Sequence, residues 1–134
     1  MERISQHLKV LVLRGKDGDF EGLTEILSRF LNVAVANNPE ELESLLARET
    51  YAAFLCPWDC PCGTWREICR EVHQGHPDLP IIVVRRLGEE HDWVEILEAG
   101  CFDILCAPFS SHHVLAVIEH AAASSEGRLL RSVA

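Results

Sequence analysis

The sequence predicts an α/β domain built on a doubly wound, five-stranded parallel sheet. Five short apolar runs alternate along the chain with five stretches in which apolar residues recur every three or four positions. Continuous apolar runs are typical of strands that are covered on both faces. Because strand, helix and strand connect by right-handed crossovers, the helices are expected on both sides of the sheet. A chain of 134 residues fits one such domain.

The first half of the chain supplies two strands and two helices. Residues 9–13 (KVLVL) form the first predicted strand, and Asp17 or Asp19 caps the helix that follows. Residues 32–36 (NVAVA) form the second strand. The second helix has a strong start signal, because Asn38 stands as cap, proline occupies the first helical position, and glutamate lies three residues after the cap.

The second half repeats this alternation. The sequence predicts strands at 52–56, 80–84 and 102–106, helices at 64–75 and 89–99, and a last helix that Ser110 or Ser111 caps. Each helix is expected to turn one stripe of apolar side chains toward the sheet. On the third helix this inward stripe is Trp65, Ile68, Cys69 and Val72, and on the fourth helix it is Trp93, Ile96 and Leu97. We expect one domain over residues 1–123, with 124–134 a fraying C-terminal tail or the start of a linker.

Composition excludes several classes of function. A net charge of -9 argues against nucleic acid binding, which needs a clustered basic face. No run approaches the ~20 apolar residues of a membrane helix, so no membrane contact is expected. A cytoplasmic location is expected, and the six cysteines are expected to be reduced rather than paired as in small secreted domains.

The loop after the third strand is where chemistry is expected. In open α/β sheets, ligands bind where a central strand ends and its loop begins. Here the strand leads into Pro57, Asp59, Cys60, Pro61 and Cys62. Asp59 and the thiols are therefore the groups in this loop that could do chemistry.

Three local signatures resemble the receiver domain of bacterial response regulators, the chemotaxis-regulator fold. They are WDCPCG at 58–63, DLPIIVV at 78–84 and EAGCFDILCAPF at 98–109, and the resemblance covers about residues 8–123. It implies a flavodoxin-like, three-layer sandwich with strand order 2-1-3-4-5. It also implies a signalling module of a two-component or phosphorelay system, without enzymatic activity or cofactor.

When the family's functional positions are matched to this sequence, each of them is occupied by a residue that differs from the family's own. Pro57 stands at the phosphoacceptor position, four residues before Pro61. The other positions are Arg14 and Gly15 for the acidic pair that holds magnesium, Arg85 for the hydroxyl residue, Ile104 for the switch aromatic and Ala107 for the lysine. Phosphoryl transfer to a carboxylate needs a nucleophile, oxygen ligands for a hard cation, and a cation for the developing charge. The resemblance therefore implies a degenerate phosphorylation pocket.

Two alternative hypotheses place a reactive or metal-binding site in the loop after the third strand. In the first, Asp59 replaces the lost acceptor and the domain remains a working receiver; the competing interpretation is an ion pair of Asp59 with Arg14 or Arg85. In the second, a thiol cluster binds zinc or senses redox state. Its members would be Cys56, Cys60, Cys62 and Cys106. Core packing is the competing interpretation of the cysteines, because Cys-x-Cys is not the spacing typical of zinc knuckles.

The function that the sequence predicts is therefore protein recognition. By resemblance, the contact surface is the face of the fourth helix, fifth strand and fifth helix, and the partner is a signalling protein or a second copy of the chain. The apolar candidates are Trp93, Ile96, Ile104, Val114 and Ile118. The competing interpretation is that many of them pack onto the sheet. Trp58 is either a contact residue or packed over the proline-rich loop.

Overall fold

The computed structural model describes the backbone of residues 8–15, 19–58, 64–85, 90–106 and 109–133. Side chains are described for 8–15, 22–58, 64–85, 94–106 and 109–124. The elements are β1 (Lys9–Leu13), α1 (Asp19–Phe30), β2 (Asn32–Ala36), α2 (Pro39–Arg48), β3 (Ala53–Pro57), α3 (Trp65–Gly75), β4 (Ile81–Arg85), α4 (Glu90–Glu98), β5 (Asp103–Cys106) and α5 (Ser111–Val133).

The five strands form one parallel sheet in the order β2-β1-β3-β4-β5, which confirms the predicted fold class and strand order. The register is continuous from strand to strand. Val12 lies beside Val35 of β2 on one side and Leu55 of β3 on the other. At the other end of the sheet, Arg85 of β4 lies beside Cys106 of β5.

Side-chain alternation divides the core into two layers. One layer packs α1 and α5 against residues such as Val12 and Leu55, and the other packs α2, α3 and the end of α4 against residues such as Phe54 and Cys56. Successive strand residues point to opposite faces, so a strand buried on both faces must be apolar at every position. That requirement explains why the strands read as continuous apolar runs.

The helix starts follow the capping signals in the sequence. The Asn38 Oδ1 accepts a hydrogen bond from the Glu41 backbone N–H at 2.8 Å, and the Ser110 Oγ accepts one from the His113 N–H at 3.1 Å. Thr64 caps α3 in the same way, accepting from the Glu67 N–H at 3.3 Å. Asn38 is therefore confirmed as a cap, and Ser110 rather than Ser111 caps α5. Asp17 and the side chain of Asp19 lie outside the described residues.

Helix α5 continues to Val133. It therefore includes residues 124–133, which the sequence predicted as a fraying C-terminal tail or the start of a linker. The segment contains leucine and arginine but no proline, and its one glycine costs a helix only about 1 kcal/mol. The division of the chain at residue 123 stays a prediction. Within the described part of the chain, no helix is long and apolar enough to cross a bilayer.

Candidate functional site at the carboxyl edge of the sheet

The carboxyl edge of the sheet, where the strands end, carries the positions that the sequence singles out. Arg14 follows β1, and Pro57, Arg85 and Cys106 are the last residues of β3, β4 and β5. Because Pro57 pairs with Val84 and Arg85 pairs with Cys106, these strands end at nearly the same level. Parallel strands thus bring the described ones among the predicted pocket residues to one edge of the sheet.

Pro57 is part of the buried strand rather than of the loop. It is the fifth residue of β3 and is buried like the four before it. Its side chain is a saturated ring with no nucleophilic atom, and its nitrogen carries no hydrogen. At this position the chain offers nothing that could accept a phosphoryl group.

Arg85 and Trp58 make the main contact of this edge. The guanidinium carbon of Arg85 lies 4.2 Å from the centroid of the Trp58 ring. Trp58 in turn stacks on Trp65, with ring centroids 5.2 Å apart and planes inclined by 26°. The guanidinium of Arg66 lies 5.3 Å from the Trp65 ring centroid. We call these four side chains, in the order Arg85, Trp58, Trp65 and Arg66, the Arg–Trp column.

Local backbone geometry explains why the column forms. The Trp58 N–H donates to the Val84 carbonyl at 2.8 Å, which continues the β3–β4 ladder by one residue and sets Trp58 beside Arg85. Trp65 is the first residue of α3, and it is buried. Arg66 forms an ion pair with Glu95 of α4. The column therefore connects the end of β4, through α3, to α4.

Arg14 does not belong to the Arg–Trp column and lies near the end of β2 and the start of α2. Its N–H donates to the Ala36 carbonyl at 2.9 Å and its side chain is exposed. Two hydrogen bonds of 2.9 Å from the Asn37 backbone and side chain hold the pKa of Glu41 below its usual value, and the nearby charge of Arg14 lowers it further. A guanidinium at this position disfavours the binding of a second cation beside it.

Several predicted site residues lie outside the described side chains: Asp59, Cys60, Cys62, Trp93 and Ala107. The two proposals for Asp59, as acceptor or as ion-pair partner, therefore stay predictions. For Arg85, the described contact is the stacking on Trp58. Trp58 itself is half-buried and packs on Trp65 of α3. The predicted packing of Trp58 over the proline-rich loop involves residues outside the described chain and stays a prediction.

Two members of the predicted thiol cluster, Cys56 and Cys106, lie on strands that are separated by β4. Cys56 is fully buried with its Sγ 3.8 Å from the Pro57 carbonyl, and Cys106 is partly exposed at the end of β5. Because β4 lies between β3 and β5, the two backbones are about 10 Å apart, beyond the roughly 7 Å that a disulfide spans. Cys56 and Cys106 therefore cannot pair directly. Among the described residues, no three histidine, cysteine or acidic side chains are grouped to hold a metal ion.

Two other cysteines do meet. The Sγ atoms of Cys69, on α3, and Cys101, after α4, lie 3.7 Å apart. The helical periodicity predicted that Cys69 is buried, and the structure confirms this and shows Cys101 buried beside it. Their contact was missed, because no local pattern links residues in separate crossover units.

The predicted contact surface needs correction. Ile96, Val114 and Ile118 have no exposed surface. They pack the core and cannot touch a partner of the folded domain. Leu97, predicted to face inward, is 39% exposed, and Val94 is 48% exposed. The inward stripe of α4 is narrower than predicted, which leaves these two apolar side chains on the outer side of the helix. Ile104 is half-buried.

Comparison with known proteins agrees with this fold. No family model matches the chain. The chain is 33% identical over 92 residues to the response regulator protein PilR of Pseudomonas aeruginosa, covering 67% of this chain and 21% of PilR. It is similar in structure to the CheY-like receiver domain protein of Methanospirillum hungatei, with a TM-score of 0.76 at 18% identity over 92% of this chain and 99% of that one.

A second solved structure, the beryllofluoride-activated receiver domain of Thermotoga maritima DrrB, matches with a TM-score of 0.70 at 21% identity. The match covers 87% of this chain and 97% of that domain. The chain belongs to the receiver domains of response regulators. It spans between about a fifth and about half the length of the curated relatives it matches.

The contact between Arg85 and Trp58 can be measured by a double-mutant cycle. Arg85→Met keeps the apolar stem and removes the charge, and Trp58→Leu keeps an apolar side chain and removes the ring. We expect a coupling free energy of about 1 kcal/mol in urea unfolding, the value of a partly desolvated cation–π contact.

The matched control pairs Arg66→Met with Trp58→Leu. Arg66 lies over Trp65 instead of Trp58, so this cycle should give a smaller coupling. Additive effects of Arg85→Met and Trp58→Leu would show that the contact does not stabilise the domain.

Proposed function

We propose that this chain is a two-component receiver domain that has lost aspartyl phosphorylation and acts by binding another protein. The observation that carries the proposal is Pro57, buried at the end of β3 where the family has its acceptor, beside an arginine stacked on Trp58. We propose no enzymatic activity and no cofactor for it. The family expectation of a cytoplasmic location belongs to the same proposal.

The chemistry of the carboxyl edge supports this proposal. Transfer of a phosphoryl group to a receiver needs a carboxylate, oxygen ligands for a hard cation, and a positive group for the developing charge. Pro57 supplies no carboxylate. Arg14 adds positive charge where a cation would bind, and Gly15 has no ligand atom in its side chain. Arg14 and Arg85 bring positive charge to positions where the family has other residues, whereas the nucleophile, the metal ligands and, at Ala107, the lysine are missing.

The contacts of the Arg–Trp column support the proposal that the domain stays in one conformation and does not switch. A switch changes state only when an input interacts differently with its two conformations. Here Arg85 makes its contact with Trp58 without any added group, and the column continues to Glu95 on α4 through Arg66. We infer that this packing holds the position of α4 that phosphorylation would otherwise select.

The outer side of α4 is the proposed contact surface, defined by Val94 and Leu97. They are the exposed large apolar side chains among those the structure describes, and their spacing of three residues puts them on one side of the helix. Exposed apolar side chains grouped on one face often mark protein contacts. We propose a second copy of the chain as the partner, because α4 lies in the surface that the family resemblance implies for dimerisation.

The loss of phosphorylation is tested by the intact mass of the reduced protein after incubation with acetyl phosphate and magnesium. The unchanged mass of the wild type is the expected result, because no described group at the acceptor position can form the acyl phosphate. Asp59→Asn is the control. A phosphoryl adduct on the wild type that is absent from this variant would restore the alternative of a working receiver that uses Asp59.

The contact surface is tested by sedimentation velocity over a range of protein concentrations. Val94→Glu should weaken self-association at least about tenfold, because the new carboxylate must be desolvated in the interface. Ala47→Glu, on exposed α2, makes the same charge change elsewhere and should have no effect. Wild-type protein that stays monomeric, or a dimer that tolerates Val94→Glu, would contradict this assignment.

A further inference from the structure

Cys69 and Cys101 form a buried pair of thiols that the function proposed above does not use. Their Sγ atoms are 3.7 Å apart, and the two residues are only 3% and 6% exposed. Cys69 lies in the middle of α3, and Cys101 follows the end of α4. The pair therefore joins two helices that are adjacent along the same face of the sheet.

The C-terminal cap of α4 holds Cys101 in place. The Gly100 N–H donates to the Leu97 carbonyl at 3.0 Å, and the Cys101 N–H donates to the Ile96 carbonyl at 3.2 Å. Gly100 has a φ of 92°, the left-handed conformation that this type of helix end requires. The chain reverses there, and Cys101 enters the same apolar cluster as Ile96 and Cys69.

The two thiols are not equivalent. The Cys101 thiol donates its proton toward the Cys69 sulfur. This hydrogen bond is the main cause that raises the pKa of Cys101, and burial adds to it. Cys101 thus keeps its proton while Cys69 accepts the hydrogen bond. Because a sulfur that accepts a hydrogen bond has its negative charge stabilised when it attacks, we assign the first attack on the oxidant to Cys69.

We propose that Cys69 and Cys101 are an oxidation site, at which a peroxide forms a reversible intramolecular disulfide that ties α3 to the end of α4. The Cys69 thiolate attacks a peroxide oxygen, the O–O bond breaks, and hydroxide leaves a sulfenic acid on Cys69. The Cys101 sulfur then attacks that sulfenic sulfur and the S–O bond breaks. The leaving hydroxide takes the Cys101 proton, and the hydroxide from the first step takes the proton that Cys69 gave up. Two thiols and one hydrogen peroxide thus give one disulfide and two waters.

The geometry requires little movement. A disulfide has an S–S length of about 2.05 Å, so the two sulfurs must approach by only about 1.6 Å from their present separation. Their burial admits a small neutral oxidant such as hydrogen peroxide more readily than a charged thiol reagent. The bond would close a loop between positions 32 residues apart, which contains β4 and α4. This inference does not depend on the loss of phosphorylation.

The test uses a variant in which Cys69 and Cys101 are the only cysteines, made with Cys56→Ala, Cys60→Ser, Cys62→Ser and Cys106→Ser. After hydrogen peroxide, its intact mass should fall by two hydrogens, and dithiothreitol should restore it. Because a native-state disulfide restricts the unfolded chain, the melting temperature should rise by about 10 °C on oxidation. Adding Cys69→Ala to this variant should abolish both changes.

If the variant with four cysteine substitutions does not fold, peptide mapping of the protein with the single substitution Cys106→Ser provides the test. Trypsin releases residues 67–70, which contain Cys69 alone, and residues 87–128, which contain Cys101 and Cys106. In oxidised Cys106→Ser protein, these two peptides should be joined under non-reducing conditions. Oxygen added to either sulfur without a cross-link, or two thiols that persist under peroxide, would overturn the proposal.

Discussion

The stacking of Arg85 on Trp58 is the contact on which the carboxyl edge of this domain depends. The strand register decides it, because the Trp58 N–H continues the β3–β4 ladder and so places the indole beside the last residue of β4. An arginine is suited to this position, since its planar guanidinium stacks on aromatic faces and keeps its charge. In the proposed account, Pro57 leaves no carboxylate at the end of β3 that could draw this cation away from the indole.

The helix α4 is held to α3 at two places. Arg66 pairs with Glu95 on the surface, a kind of contact that contributes at most about 1 kcal/mol. Cys69 and Cys101 meet in the core, just past the C-terminal end of α4. The first place belongs to the Arg–Trp column, and the second would become covalent on oxidation. A domain without aspartyl chemistry would therefore still have one site at which a chemical input could act on α4.

The sequence predicts the architecture well because the fold is specified locally. Continuous apolar strands, the Asn38 and Ser110 caps and the alternation of elements are all short-range signals, and each is confirmed. The candidate site is less predictable. Trp58, Arg85 and Trp65 meet through register and helix placement, and Leu97 faces outward because α4 has a narrower buried stripe than its apolar content suggests. Contacts between distant segments leave no periodicity in the sequence.

The most direct test of the account is the amide nitrogen–proton spectrum of the wild-type domain with and without beryllofluoride and magnesium. Beryllofluoride mimics a phosphoryl group by binding an aspartate carboxylate, and a similar receiver domain has been solved in its beryllofluoride-activated form. A domain fixed by the Arg–Trp column should give the same spectrum in both conditions. Saturable shifts at the ends of β3 and β4 that extend into α4 would show that a working phosphorylation pocket remains.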